Sequence, residues 1–321
     1  MDRERPARVP GGGGDGGRQP PRHARRRGRR GQRPGAPRAD GVADAEDRPD
    51  GRRRRLRTGT VVIDTHCHLH DDAYRDLRAT LDRARAAGVW GVVGVGCDPR
   101  SNAATLAAAA ASPRSVWPAL GFHPERVDLT DEDLERVEAQ VAEHHARLVA
   151  VGEVGLPWYS LEGAADAAAL MTRARRRLDR MLALAARYDL AVSLHAPHGA
   201  AVGALEALRR HGVERAVFHW HKAPADVTRA IVDAGYMVSV TPEVVHRDRD
   251  RDLVAAVPLP SLLVESDGPW RYAGEFEGVP SGPWLVGRVA EEVAKIVRRP
   301  VEEVVERVSA NACRLFGLPW V

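Results

Sequence analysis

The chain has 321 residues, with 48 Lys and Arg against 44 Asp and Glu, a net charge of +4, and three cysteines. The odd number and wide spacing of the cysteines argue against a disulfide framework or a cysteine-rich zinc finger. No apolar run approaches the ~20 residues of a membrane-spanning helix, and the Arg-rich start lacks the apolar core of a secretion signal, so we expect a cytoplasmic protein.

Residues 1–60 differ in composition from the rest of the chain. They hold 18 Arg and 8 acidic residues, a net of +10, and are rich in Gly and Pro, whereas the remainder has 30 basic and 36 acidic residues. Such a segment cannot bury enough apolar surface to offset the entropy of ordering, so we expect a disordered extension. An open alternative is that translation starts near Val61, where the first predicted strand begins abruptly.

From Val61 onward, short apolar runs alternate with longer helical patterns, which is typical of βα units and a parallel sheet. The predicted strands are Val61–Thr65, Gly91–Gly96, Val116–Gly121, Leu148–Gly152, Leu190–Leu194, Arg215–Phe218, Tyr236–Val240 and Ser261–Val264. Eight such units predict an α/β fold, a (β/α)₈ TIM barrel over residues 61–321. The first βα turn lacks a GxGxxG phosphate loop, which disfavours an open dinucleotide-binding sheet.

Polar side chains that could bind metal follow several of these strands. Residues i and i+2 of a strand point to the same face, so His66 and His68 lie side by side where the first strand ends. The ends of later strands supply four more donors: Glu153, His195, His219 and Asp267. Because the active site of such a barrel lies at the C-terminal ends of its strands, we expect all six to converge there.

Six donors exceed the three or four ligands of one catalytic zinc. They suit two divalent ions ~3.5–4 Å apart, which activate a water and stabilise a leaving oxygen. Glu153 is expected to bridge the ions, and Asp267 to bind metal and accept a proton from the attacking water. Asp64 is expected to fix an imidazole by accepting its ring N–H, and Cys67, of opposite parity, to pack away from the metals.

Several motifs, in this order, resemble those of the TatD family of metal-dependent hydrolases, within the amidohydrolase-type barrels. They are DTHCHL (64–69), GFHP (121–124), VGEVGL (151–156), His195, FHW (218–220), ESDGPW (265–270) and Asn311 with Leu315-Phe316-Gly317. The resemblance implies a 3′–5′ DNA exonuclease or related phosphodiesterase supported by Mg²⁺, Mn²⁺ or Zn²⁺. It assigns the two-metal site to His66, His68, Glu153, His195, His219 and Asp267. DNA ends or another phosphodiester are the expected substrate, and the chain is expected to be a monomer.

The loops around this site depart from the family pattern. Pro157 stands where an Asp is usual, and no Arg follows His195. Lys222 and Arg271 lie just past strand ends and are expected to offset phosphate charge, with His123 as a further substrate contact. Five aromatic residues on the same rim are expected to stack unpaired bases: Trp158, Tyr159, Trp220, Trp270 and Tyr272.

Two other functions remain open. Related barrels hydrolyse an amide, lactone or cyclic ureide, commonly with a carbamylated lysine between the ions, but neither Lys222 nor Lys295 lies at the end of the fourth strand. A non-enzymatic protein could instead bind nucleic acid through the Arg-rich residues 1–60. That hypothesis requires a decayed ligand set, whereas all six donors are present.

Overall fold

The computed structural model describes residues 61–319, so the disorder predicted for residues 1–60 lies outside the described residues. Within that range every predicted strand is present, with small shifts at the ends. The strands are β1 (Val62–Cys67), β2 (Val89–Val95), β3 (Val116–Leu120), β4 (Ala150–Gly155), β5 (Ala191–His195), β6 (Ala216–Phe218), β7 (Met237–Val240) and β8 (Leu262–Val264). All neighbouring pairs are parallel, in the order β1 to β8.

The sheet curls until β8 returns to β1. Cys67 and Gly268 form a parallel bridge, and the Thr65 hydroxyl donates to Val264 O at 3.0 Å. The backbone N–H of Asp267 also donates to His66 O at 2.9 Å. This seam confirms the predicted TIM barrel, and it brings the segment after β8 against the histidine pair at the end of β1.

Helices cover the outside of the barrel and one of its ends. Within residues 61–319 they are α1 (Leu77–Ala86), α2 (Pro99–Ala111), α3 (Asp131–His144), α4 (Ala167–Arg187), α5 (Ala200–His211), α6 (Ala225–Asp233), α7 (Asp248–Ala256), α8 (Val286–Val297) and α9 (Val301–Phe316). None of them is long and apolar enough to cross a membrane.

The last helix closes the N-terminal end of the barrel. Leu315 and Phe316 of α9 belong to the same buried apolar cluster as Ile63, Val93 and Leu263 of the strands. The Asn311 amide donates to the carbonyl of Leu262 at 2.8 Å, which ties the helix to β8. The C-terminal ends of the strands therefore remain open to form a site.

Candidate metal centre

Glu153 on β4 lies at the centre of the polar cluster and is only 1 % exposed. Its Oε1 is 2.6 Å from His219 Nε2 and 2.9 Å from His195 Nδ1. Its Oε2 is 3.3 Å from His66 Nε2 and 3.6 Å from His68 Nε2. The two oxygens of one carboxylate thus face two different pairs of imidazoles.

Asp267 completes the first group from the loop after β8. Its Oδ1 is 3.3 Å from His68 Nε2 and 3.7 Å from His66 Nε2. Its φ of +42° is in the left-handed region, which aspartate tolerates better than most residues and which is common at functional sites. The structure therefore brings together all six of the donors that we selected from the strand ends.

His123 lies closer to this group than a substrate contact needs to be. Its Nε2 is 3.1 Å from Glu153 Oε1, and His123, Glu153 and His195 form one of the groups of donors close enough to share a cation. Gly121, two residues earlier, lies against the backbone of Glu153, and a Cβ at that position would overlap the Glu153 N and O atoms. The GFHP segment thus fixes the carboxylate from the β3 side.

Each of the four predicted histidine ligands has its second ring nitrogen held from outside the cluster. His66 Nδ1 is 3.2 Å from Ser193 Oγ, and His68 Nδ1 is 3.4 Å from Val95 O. His219 Nδ1 is 3.3 Å from Glu265 Oε1, and His195 Nε2 is 3.2 Å from Glu125 Oε1. Metal-binding histidines are oriented by such partners, which select the tautomer with its lone pair directed inward.

Two buried atoms of the cluster have no hydrogen-bond partner, namely His66 Nε2 and Glu153 Oε2. They lie 3.3 Å apart, so a cation between them would satisfy both. Nitrogen and carboxylate donors are the ligands that Zn²⁺ and similar divalent ions take in proteins. The residues present therefore fit a divalent metal ion.

The charge states of these groups are also those that a cation requires. Burial alone would raise the pKa of the Glu153 carboxyl, but the imidazoles of His123, His219 and His66 hold that pKa well below its usual value. Burial likewise opposes ionisation of Asp267, yet the hydrogen bond and charge of His68 lower its pKa. Burial and the neighbouring His219 lower the pKa of His66, which leaves that ring neutral with a lone pair available.

The prediction for Asp64 is wrong, because its carboxylate does not contact a histidine ring. Asp64 Oδ2 accepts from the Ser266 hydroxyl at 2.6 Å, and Oδ1 accepts from the Ser266 N–H at 2.9 Å and the His66 N–H at 3.2 Å. Asp64 thus ties β1 to the loop that carries Asp267. The prediction for Cys67 is confirmed, because its thiol is buried in the apolar core against Gly268.

The cluster opens into a cleft of about 1160 Å³ whose wall includes Lys222 and Arg271. Lys222 Nζ is 3.5 Å from the centroid of the Trp220 ring and 3.3 Å from the Tyr159 hydroxyl. Arg271 is exposed at the rim. Neither side chain contacts the six donors, so both lie where a bound substrate would extend away from the centre.

Three of the five aromatic residues predicted to stack bases are exposed at the rim: Trp158 (42 %), Tyr159 (46 %) and Trp270 (55 %). The prediction is wrong for Trp220 and Tyr272, which are 8 % and 4 % exposed and pack with Phe276. The Trp220 ring still supports Lys222 and Trp270 from below. Its role is therefore to position rim residues and not to stack bases.

Glu125 is a site residue that the sequence analysis missed. Besides His195, it accepts from the N–H groups of Trp158 and Tyr159 through Oε1 at 2.7 and 3.1 Å, and from Ser160 N–H through Oε2 at 2.8 Å. These hydrogen bonds join the loop after β3 to the loop after β4. The sequence offers no signal for them beyond a glutamate two residues after His123, because every partner is distant along the chain.

Comparison with known proteins agrees with the fold and the donor set. The family model described as TatD related DNase matches residues 63–317. A metal-dependent hydrolase named TatD from Mycobacterium tuberculosis is 33 % identical over 267 residues, covering 81 % of this chain and 99 % of that protein. Human deoxyribonuclease TATDN3 is 30 % identical over 269 residues, covering 80 % of this chain and 95 % of that protein.

The comparison extends to a solved structure. The crystal structure of YjjV, a TatD homologue from Escherichia coli, matches with a TM-score of 0.72 and 31 % identity, covering 80 % of this chain and 98 % of that one. The motifs, the closed barrel and the donors at its open end thus point to the same group of proteins. The chain belongs to the TatD family of metal-dependent hydrolases.

Proposed function

We propose that residues 61–321 form a phosphodiesterase of the 3′–5′ deoxyribonuclease type that uses two divalent cations, Mg²⁺, Mn²⁺ or Zn²⁺, and an activated water. The observation that carries the proposal is the position of Glu153, whose two carboxylate oxygens face separate donor groups. Our assignment gives one cation to His66, His68 and Asp267 and the other to His195 and His219, with Glu153 shared between them.

When bound, such a pair of cations polarises a water and offsets negative charge on the phosphoryl oxygens. Asp267 stays ionised at the edge of the cluster and accepts the proton of the attacking water. Glu153 holds the two donor groups at a fixed separation because its buried carboxylate contacts both.

The substrate contacts that we assign lie along the cleft. Lys222 and Arg271 offset the charge of phosphates beyond the scissile one, and His123 contacts the phosphate nearest to Glu153. The exposed rings of Trp158, Tyr159 and Trp270 stack against unpaired bases. The printed name of the human relative, a deoxyribonuclease, supports DNA as the substrate.

The amide, lactone or cyclic ureide alternative has less support. Among the described residues the two lysines are Lys222, which lies over Trp220, and Lys295, whose Nζ is 3.0 Å from Glu292 on the outer helix α8. Neither can become a carbamylated bridge between the donor groups, and Glu153 occupies that position.

The test begins with the metal content per chain of the purified protein, followed by turnover of three substrate classes. These are 5′-labelled single-stranded DNA, bis(p-nitrophenyl) phosphate and a panel of amides and lactones. We expect DNA shortened from its 3′ end, with a rate ~10²–10⁴-fold lower in Asp267→Ala. Asp226→Ala, exposed at the start of α6, is the matched control and should retain the wild-type rate.

Equal release of 3′ nucleotides by wild type and Asp267→Ala would identify a contaminating nuclease and remove the assignment. Turnover of the amide panel with no phosphodiester cleavage would establish the alternative. Well-folded protein that takes up no divalent cation would refute both.

A further inference from the structure

A second group of metal-binding side chains lies on the β1–β2 side of the cleft, beside the proposed centre. His70 and Cys97 each offer one donor atom, and with one from His68 these atoms all lie within 4.8 Å of one another. All three side chains are partly exposed and line the cleft. The hydrolysis proposed above uses neither His70 nor Cys97.

The backbone holds these donors in place. His68 Nδ1 and His70 Nδ1 lie 3.4 and 3.0 Å from the same carbonyl, Val95 O, at the end of β2. Cys97 follows two residues later, with its Sγ 3.6 Å from His68 Nδ1. The Cys97 N–H donates to Ser101 Oγ at 2.8 Å, and the Cys97 carbonyl accepts from His123 N at 2.9 Å. The thiol therefore has a fixed position facing the two rings.

We propose that His68 Nδ1, His70 and Cys97 form a separate site for a thiophilic divalent cation such as Zn²⁺, and that its occupation inhibits hydrolysis. A thiolate with two imidazoles selects zinc over Mg²⁺ or Mn²⁺, which prefer oxygen ligands. Asp71 and Asp98 line the same wall and offset the charge of the cation. Binding releases the thiol proton and the Nδ1 proton of His68 to water.

The inhibitory part rests on the proposed function, because His68 is common to both sites. The Nδ1–H of His68 donates to Val95 O, and that contact directs Nε2 toward Asp267 and Glu153. A cation on Nδ1 removes this proton and draws the ring toward Cys97. His68 then binds the catalytic cation less well, and the rate falls.

Cobalt is the probe for the site itself. Co²⁺ bound to a thiolate gives a near-ultraviolet charge-transfer band that nitrogen and oxygen ligands do not give, so the band separates this site from the centre. We expect titration of the full-length protein with Co²⁺ to produce that band. Cys97→Ser should lose it and bind one equivalent fewer, whereas the control Cys313→Ser, at the end of α9, should keep it.

Inhibition is measured as cleavage of bis(p-nitrophenyl) phosphate at saturating Mg²⁺ with increasing Zn²⁺. In Cys97→Ser and in His70→Asn, half-inhibition should require roughly tenfold more Zn²⁺ or a larger excess, because one of three protein ligands is lost. Two variants are used so that a folding defect in one does not decide the result.

Visible cobalt bands from the centre without the near-ultraviolet band would overturn the new site and leave the proposed function intact. A band that survives in Cys97→Ser would overturn it as well. A normal band with unchanged Zn²⁺ inhibition in both variants would refute the inhibitory role. The absence of any cobalt signal would refute this site and the proposed centre together.

Discussion

Lys222 provides a sharp test of phosphate binding because its charge depends on pH. Its ammonium group lies over the Trp220 ring, within 3.3 Å of the Tyr159 hydroxyl. Burial lowers the pKa of Lys222 to about 8, against the opposing charge of Glu243, while Arg249 lowers it further. The side chain is therefore a cation below pH 8 and becomes neutral above it.

The magnitude follows from this pKa. At about pH 9 roughly one Lys222 in ten keeps its proton, so the KM for single-stranded DNA should be roughly tenfold higher than at pH 7. Lys222→Met lacks the charge at every pH. Its KM at pH 7 should rise about 10- to 150-fold, since a hydrogen bond to a charged group contributes ~1.5–3 kcal/mol. The kcat should change little, because Lys222 does not contact the six donors.

The assay measures initial rates of 3′ nucleotide release with Mg²⁺ between pH 6.5 and 9.5. Lys222→Arg is the matched control, because arginine stays charged throughout this range and its KM should remain flat. If Lys222→Arg shows the same rise in KM as wild type, another group causes the pH dependence. A KM for Lys222→Met equal to that of wild type at pH 7 would remove Lys222 from the phosphate site.

Three further predictions concern the centre, the rim and the N-terminal segment. Gly121→Ala should push the backbone of Glu153 aside, and bound metal per chain should fall below half of the wild-type value. Gly94→Ala, whose added methyl meets only ordinary contacts from 3.4 Å, is its control, and equal metal content in both variants would contradict the argument. Trp270→Ala should weaken binding of single-stranded DNA by ~1–3 kcal/mol and leave cleavage of bis(p-nitrophenyl) phosphate unchanged, so an equal loss on both substrates would count against stacking. Removal of residues 1–60 should leave turnover per chain unchanged, whereas a protein that acts only by binding nucleic acid would lose its function.

The position of the donor set was predictable because it depends on rules that hold locally. Strand parity places His66 and His68 on one face, and the barrel architecture brings the ends of parallel strands to one rim. Glu153, His195, His219 and Asp267 then meet without further information from the sequence. Their proximity in the structure follows from the fold, which is confirmed.

The errors arose where a side chain answers to a neighbour that is distant in sequence. Asp64 was expected to bind an imidazole, but the closure of the barrel offers it the N–H and hydroxyl of Ser266, 202 residues away. Trp220 and Tyr272 follow strand ends, as exposed rim residues do, yet they pack with Phe276 and are shielded. Parity and strand position identify a rim but do not tell which of its residues remain exposed.

Closure of the barrel and assembly of the centre use the same contacts. The hydrogen bonds from Asp267 N to His66 O and from Ser266 to Asp64 join the first strand to the segment after the last. Asp267 reaches the histidine pair only when that seam is formed. Because the outer nitrogens of the histidines are already held by protein groups, a cation meets donors that need little reorganisation. Metal binding therefore stabilises the closed barrel over any state in which the seam opens, and a weakened seam must weaken metal binding in return.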